Sequence, residues 1–541
     1  MDPCAAHTPC RHLAAALARA VVALFAALLL AGLSACAAPR VDVPRPSSEA
    51  WAHPQDTALG RAYAAPLAQR PGESGLYALP SGLEALSLRA ALADGAQRTL
   101  DLQYYILRAD DSTELLMARV WRAAQRGVRV RLLVDDLDAL GKDLDLATLA
   151  SFPNIEVRVF NPFSVRGSFG LSHLLEVIGH GPRLNRRMHN KLWVADNAMA
   201  VAGGRNLGDE YFDASGSVNF TDLDVLAAGP VVAQVSASFD AYWNSEWAVP
   251  IQAFVHQPPG EAEREHFARN LQERLTAFRD TDYGRAVRDT GLGRALRSGA
   301  LPLTYAPAQA MADPPSKVAA HDGAEPVPGL FAQRIRPVVA AAQRELILIS
   351  PYFIPSDDGI AGMAALVKRG VRVRILTNSL ASADTVPLAH AGYARKRGRL
   401  LEAGVELHEM RPDVEATAAR RHIRPSLGAY LHTKAIVVDR RHVLVGSMNL
   451  DPRSRLTNTE VGLLIDSMDF GAGLGQLFDD AVQPARAFQV TRREGPPDAV
   501  LLRWTTQDAG RPVTFDTEPL AGWWKRVLSV LLQAVAPEEL L

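Results

Sequence analysis

The sequence predicts an α/β fold built from two tandem halves that pair as a pseudo-twofold dimer, with one active site between them. Three observations point there. GVRVRLLVDD at 127–136 returns as GVRVRILTNS at 370–379, an offset of 243 residues, and HNKLWVADNAMAVAGGRN at 189–206 returns as HTKAIVVDRRHVLVGSMN at 432–449 at that same offset. Around these anchors, NIEVRVFNP (154–162) answers GVELHEMRP (404–412) and RTLDLQYYI (98–106) answers RELILISPYF (344–353). In each half apolar strand-like runs alternate with helix-like stretches, the pattern of βαβ units with parallel strands. Self-similarity of this kind sets the architecture before any single residue does.

Each half reads in one order: an apolar strand, a helix ending in Arg-Gly or Lys-Arg-Gly, a second strand, a short strand, then a hairpin. The halves span 75–250 and 331–485. Residues 251–330 have no counterpart in the repeat. Within them EREHFARNLQERLTAF (263–278) predicts a helix, and the Pro-, Ala- and Gly-rich remainder predicts a linker. The extension 486–541 contains LAGWWKRVLSVLLQAV (520–535), which sets Trp523, Trp524 and Val527 beside Leu531 and Leu532, with Lys525 and Arg526 alongside. Trp and basic residues on an amphipathic helix suit a membrane interface; a helix packed on the body of the protein suits the pattern equally.

The three cysteines, Cys4, Cys10 and Cys36, all lie at the N-terminus. Arg11 and Arg19 precede an apolar run from 20 to 35, too short for a confident span and organised like a secretory signal. Leu33-Ser34-Ala35-Cys36 resembles the bacterial lipoprotein box, which implies a signal peptide over 1–35, lipidation of Cys36, and a flexible tether over 36–74. That places the protein in a bacterial cell envelope as a membrane-anchored lipoprotein. Ala37 follows the lipidated position, and the choice between inner and outer membrane stays open.

Composition narrows the function. Hydrophobic residues make up 48% and charged residues 22% of 541, which excludes wholesale disorder. Lys plus Arg number 58 against 59 for Asp plus Glu, so the net charge of −1 argues against a non-specific nucleic-acid binder.

The repeated hairpin carries His-x-Lys-x4-Asp twice: His189, Lys191 and Asp196, then His432, Lys434 and Asp439. Each is followed by a Gly/Asn element, GGRN (203–206, with Gly204 and Asn206) and GSMN (446–449, with Ser447 and Asn449). Residues two apart on a strand share a face, so each histidine points the way its lysine does. Two histidines facing each other across a pseudo-twofold can divide phosphodiester exchange, one attacking phosphorus and the other moving the proton. Two lysines and two asparagines supply charge and donors to the phosphoryl oxygens. Without body cysteines or clustered carboxylates, the residues suggest no metal and no cofactor.

These features resemble the phospholipase D superfamily, defined by this duplicated motif. The resemblance runs from about 75 to 485. Several stretches are similar to the bacterial cardiolipin synthase C branch: RLNRRMHNK (183–191), GGRNLGDEYF (203–212), DLDVLAAGPV (222–231), TNSLASAD (377–384), HAGYARKR (390–397), DPRSRLTNTE (451–460) and the terminal WWKRV. The resemblance implies phospholipase D-type α/β sandwich halves and a phosphatidyltransferase that works through a phosphohistidine. Phosphatidylethanolamine is the implied donor and phosphatidylglycerol the acceptor, with the membrane as the partner surface and no nucleic acid; no accessory protein is identified. The alternative is a phospholipid hydrolase with the same covalent step.

By position, His189 matches the family's nucleophile and His432 its general acid/base. Lys191, Lys434, Asn206 and Asn449 match phosphate-binding positions. A carboxylate that accepts from Nδ1 orients each histidine in the family; Glu460 fits that place, and Asp222 is the better match in the first half, with Asp224 as competitor. Asp196 and Asp439 stand where each hairpin turns and read as structural. Gly203, Gly204 and Gly446 read as sites of close backbone approach. The arginines of GVRVR read as a solvated strand edge, and Arg395, Lys396, Arg397 and Arg399 as a solvated helix face. Arg183, Arg186 and Arg187 read as either headgroup contacts or a plain basic loop. Residues 161–187 insert an apolar stretch before the first histidine that suits a bilayer, an acyl channel or a buried helix.

Overall fold

The computed structural model describes residues 42–163, 185–255, 257–319, 329–382, 387–412, 428–494 and 501–535. The signal, Cys36, Arg183 and most of the 161–187 insertion lie outside the described residues.

In the first half, strand Thr99–Tyr104 is buried at every position and pairs in parallel with Arg129–Asp135, which pairs in parallel with Ile155–Phe160. Full burial is what a parallel sheet covered on both faces requires. The crossover helix Asp111–Gln125 starts at Asp110, whose carboxylate accepts from the Thr113 amide at 3.2 Å, and the chain leaves it through Gly127 at φ 91°. On its other edge Thr99–Tyr104 meets the antiparallel strands Leu192–Ala195, Met199–Gly203, Asp224–Ala228 and Glu73–Leu79 in turn.

The second half repeats this plan. Glu345–Ile349, Arg372–Asn378 and Glu406–Met410 are parallel, and Ala435–Val438, His442–Gly446 and Val461–Asp466 follow antiparallel. Its crossover helix, Asp357–Lys368, is capped by Ser356 and ends before Gly370 at φ 86°.

The segment read as a linker contains the strand that joins the halves. Thr304–Pro307 pairs antiparallel with Glu73–Leu76 and Ala308–Ala312 pairs antiparallel with Val461–Ile465, joining the strands of both halves into one sheet of 18 strands among the described residues. Its sequence TYAPAQAMA is small and Pro-containing, so composition hides the period-2 pattern. Pro307 is tolerated at the edge of the register, opposite Glu73. The helix Glu261–Asp280 forms where the sequence places it.

Two further expectations are corrected. Residues 44–57, expected as tether, dock on the first half: the Ala50 amide donates to Asp240 (2.8 Å), and Arg131 donates to the Ser48 carbonyl (2.8 Å). Helices Ala58–Ala62 and Ala64–Ala68 follow. The extension after 485 continues the second half's part of that sheet, because Ala487–Arg492 pairs with Glu406–Met410 and is followed by Leu502–Asp508 and Arg511–Phe515. Helix Trp523–Val535 then lies against helix Pro387–Glu402, with Arg395 donating to the Leu532 carbonyl at 2.9 Å.

Apolar side chains from both halves share one core across the seam, with Leu192, Val194 and Val225 meeting Ala435, Val437 and Leu463. Of the GVRVR arginines, Arg372 is exposed as expected and Arg129 is half-buried, but Arg131 and Arg374 are not on a solvated edge. Arg131 is buried against Asp101 (2.6 Å) and Asp240 (2.7 Å), and Arg374 is buried against Glu345 and Asp479. Carboxylates on neighbouring elements make a buried guanidinium tolerable, and no reading of one strand alone reveals them.

Candidate active site

Both histidine segments lie on the seam. Met188 bridges Thr459 of the second half, and the His189 amide donates to the Thr459 carbonyl at 3.0 Å. Reciprocally, Gly428–Leu431 pairs in parallel with Val218–Thr221, and the His432 amide donates to the Thr221 carbonyl at 2.8 Å. The histidines and lysines therefore precede the strands Leu192–Ala195 and Ala435–Val438 instead of lying within them, because their backbones bond across the seam. Shared direction persists. Lys191 Nζ donates to the His189 carbonyl and Lys434 Nζ to the His432 carbonyl, each at 2.5 Å, and all four side chains are buried.

The carboxylates cross over. His189 Nδ1 lies 3.0 Å from Glu460 Oε2, and His432 Nδ1 lies 2.5 Å from Asp222 Oδ2, so each half orients the histidine of the other. Ser447 Oγ donates to Glu460, and the Glu460 amide donates to Asp313 at 3.2 Å. The Leu223 amide donates to Asp222 at 2.7 Å. The competitor Asp224 is engaged elsewhere, by Arg89 at 2.9 Å and Arg205 at 3.4 Å. Gly204 occupies the place that Ser447 holds in the other half, and a Cβ there would come within 2.2 Å of Asp222 Oδ1.

Burial and the two lysines set the protonation states. Burial, reinforced by Lys191 and Lys434, holds His189 well below its ordinary pKa. Burial and Lys434 bring His432 down to about 4, with Asp222 opposing. Burial also lowers Lys191 well below its usual value. Asp222 is held below the usual carboxylate range by His432 and Lys434 against the cost of burial, whereas burial raises Glu460. Burial penalises the charged form of Lys191 despite Glu460 and Asp222 nearby, and an anion entering beside it would favour that form. Tetrahedral phosphate is such an anion.

The remaining motif residues build the frame. Asp196 and Asn197, like Asp439 and Arg440, have positive φ, the geometry of a tight hairpin turn. The Asp196 carboxylate accepts from the amides of Gln97, Arg98 and Thr99, and Asp439 accepts from those of Gln343, Arg344 and Glu345. Both stand at the strand end opposite the lysines. A Cβ on Gly203 or Gly446 would strike the neighbouring strand. Asn206 accepts from the Ile106 amide (3.2 Å) and donates to Tyr211 Oη (2.9 Å). Asn449 Oδ1 is buried without a hydrogen-bond partner.

Sequence reasoning missed the aromatic walls. Tyr105 stands edge-on to His189 with ring centroids 5.0 Å apart, and Tyr211 and Phe220 flank His432 at 5.2 Å each. Tyr211 lies in GGRNLGDEYF, where proximity to the motif was the available signal, whereas Tyr105 lies in LDLQYYI, far from it in sequence. Arg187 is not a headgroup contact; it is buried and bonded to Asp135 at 2.8 Å. In the 395–399 cluster Arg399 is exposed as expected, but Lys396 and Arg397 are not on a solvated face. Arg397 is buried on His390 (2.8 Å) and Glu518 (2.5 Å), and Lys396 reaches Asp357 at 3.2 Å.

The chain matches the family described as cardiolipin synthase, PLD-like domain, at residues 90–243 and again at 335–481. It is 39% identical over 474 residues to cardiolipin synthase C of Escherichia coli (strain K12), covering 87% of this chain and 97% of that protein. Identity to cardiolipin synthase A of Klebsiella pneumoniae (strain 342) is 26%, covering 73% of this chain and 67% of that protein. The fold is similar to that of a phosphatidylserine synthase from Haemophilus influenzae Rd KW20, with a TM-score of 0.50 at 14% identity, over 75% of this chain and 85% of that one.

Proposed function

The chain belongs to the cardiolipin synthase, PLD-like domain family, and from that premise we propose that it is a phosphatidyltransferase working through a phosphohistidine. The observation that carries the reading is the crossed pair of imidazole–carboxylate contacts, His189–Glu460 and His432–Asp222, with two buried lysines beside them.

With Nδ1–H donated to Glu460, His189 presents a free Nε2 lone pair, and its lowered pKa keeps it neutral for attack. In the first half-reaction a bond forms between His189 Nε2 and phosphorus, and the bond from phosphorus to the leaving headgroup oxygen breaks. His432 Nε2 gives its proton to that oxygen. Asp222, ionised and in short contact, supports the imidazolium this role requires, and the phosphate itself raises the affinity of His432 for a proton. In the second half-reaction a glycerol hydroxyl of phosphatidylglycerol gives its proton to His432 Nε2 and attacks phosphorus, and the bond to His189 breaks. Lys191, Lys434, Asn206 and Asn449 carry the negative charge of the transition state. Phosphatidylethanolamine as donor and cardiolipin as product complete the proposal.

Membrane attachment is part of it. No helix among the described residues is long and apolar enough to cross a membrane. On helix Trp523–Val535, Trp523 is 74% exposed and Val530 64%, while Ser529 on the opposite face is buried. That supports a helix which packs on the body by one face and offers the other to lipid. The proposed lipid on Cys36 would act as the second anchor.

The test incubates full-length protein with phosphatidylglycerol and phosphatidylethanolamine in mixed micelles containing EDTA, beside His189→Ala and His432→Ala. Mass spectrometry should find cardiolipin with wild type and none with either variant. Phosphatidic acid as the sole product would assign a hydrolase instead.

A further inference from the structure

The two halves differ in one place where the repeat makes them comparable. In the first, helices Gly82–Gly95 and Asp111–Gln125 pack on each other along their length through Leu88, Leu92, Leu116 and Val120. The inserted helix Leu292–Arg297 packs on Gly82–Gly95, so that a Cβ on Gly293 would lie 3.2 Å from Ala91. In the second, the equivalent helices are Leu330–Ala340 and Asp357–Lys368. They meet at one end, where Arg369 donates to the carbonyls of Ala342 (2.7 Å) and Ala340 (3.0 Å), just as Arg126 donates to Ala93 (2.8 Å). Towards their other ends they diverge, leaving a cavity of about 490 Å³.

That cavity is walled mainly by apolar side chains, with Gln333, Arg336, Asp358 and Arg369 among the polar ones that also line it. Ile335, Val339, Leu346, Leu348 and Met363 form its walls, and Asn449, Asp451 and Arg455 also line it. Asn449 follows Ser447 by two residues, and Ser447 donates to the Glu460 that orients His189. Met448 and Leu450, which line this cavity, also line a separate void of about 10 Å³ beside Lys434. A mainly apolar hollow of this size, bordered by Asn449 of the candidate phosphate site, has the chemistry for a hydrocarbon chain esterified to an anionic head. We infer that it receives one acyl chain of the phospholipid whose phosphodiester lies between His189 and His432. The inference rests on the phospholipid reading above.

Gly362 gives the test. It lines the cavity, and a Cβ built on it meets nothing within 4 Å, so Gly362→Phe fills the hollow without a backbone clash and removes a helix-weakening glycine. Gly473, exposed on helix Met468–Ala481 and equally open, serves as control through Gly473→Phe. With phosphatidylglycerol held constant as acceptor, rates are measured with dioleoyl and with dihexanoyl phosphatidylethanolamine, and phosphatidylethanolamine bearing a diazirine at its chain terminus is cross-linked and mapped by mass spectrometry. The expected result is label on 330–340 or 357–368 in wild type, lost in Gly362→Phe. The ratio of dioleoyl to dihexanoyl rates should fall about tenfold or more in that variant, and Gly473→Phe should match wild type. Lipid turnover by wild type with label only elsewhere, or an unchanged ratio in Gly362→Phe, overturns the acyl site and leaves the transferase reading standing. Absence of label together with a lower melting temperature in Gly362→Phe assigns the hollow to another segment of this chain, and also overturns it. Folded wild type that turns over no lipid overturns the substrate reading and the inference with it.

Discussion

Glu460 lies 271 residues from His189 in sequence and 3.0 Å from it in space, and the bond crosses from one half of the molecule to the other. Neither half alone holds an oriented histidine. The physical consequence is that a single imidazole tautomer depends on the two halves being docked.

Substituting the orienting acids should therefore cost catalysis more than folding. Glu460→Gln and Asp222→Asn each keep the side-chain shape but remove the acceptor charge, and kcat for lipid transfer should fall by about 10²–10⁴-fold. A drop of less than about threefold in both would remove the orienting role.

His432 should also mark the pH dependence of stability. Its folded-state pKa of about 4 lies below the unfolded value of about 6.5, so the unfolded chain takes up the proton first as pH falls. Its contribution is intact above about pH 6.5, is lost progressively down to about pH 4, and reaches about 3 kcal/mol. Urea unfolding from pH 7.5 to 4 should show a shallower decline in His432→Gln than in wild type, whatever the offset between them. Parallel slopes would contradict the assignment.

The glycine–serine exchange across the pseudo-twofold predicts unequal effects. Gly204→Ala places a methyl against the buried Asp222 carboxylate and should cost about 1–3 kcal/mol along with most of the activity. Ser447→Ala only removes a donor to Glu460, and should cost about 1–2 kcal/mol. Thermal unfolding of both proteins ranks them.

Asp439 is expected to act on stability alone. Asp439→Ala frees the amides of Gln343, Arg344 and Glu345, with an expected loss of about 1–3 kcal/mol and an unchanged kcat per folded molecule. Unfolding curves paired with active-site titration separate the two quantities.

Membrane docking through the C-terminal helix is checked by flotation. Replacing Trp523, Trp524 and Leu531 together by Ser should lower binding to phosphatidylglycerol-containing vesicles about tenfold or more at an unchanged melting temperature, measured on protein lacking residues 1–41 so that no lipid anchor intervenes.

The repeat made much of this protein legible in one dimension. Its two copies of His-x-Lys-x4-Asp, offset by 243 residues, announced a duplicated α/β fold and brought His189, His432 and their lysines forward as site residues. Local rules covered what local sequence controls: Asp196 and Asp439 at turns, and the helix at 261–280. Three things needed the third dimension. Thr304–Ala312 looked like linker because its strand character comes from the two edges it joins, which belong to different halves. Arg131, Arg187, Arg374 and Arg397 looked solvated because the acids that neutralise them lie on other elements. The crossing of Glu460 to His189 and Asp222 to His432 followed from docking the halves, since motif spacing fixes which residues recur but not which copy they serve. A sequence specifies the periodic and the local; the pairing of charges across a seam is decided only when burial removes water and leaves each buried ion the few partners within reach.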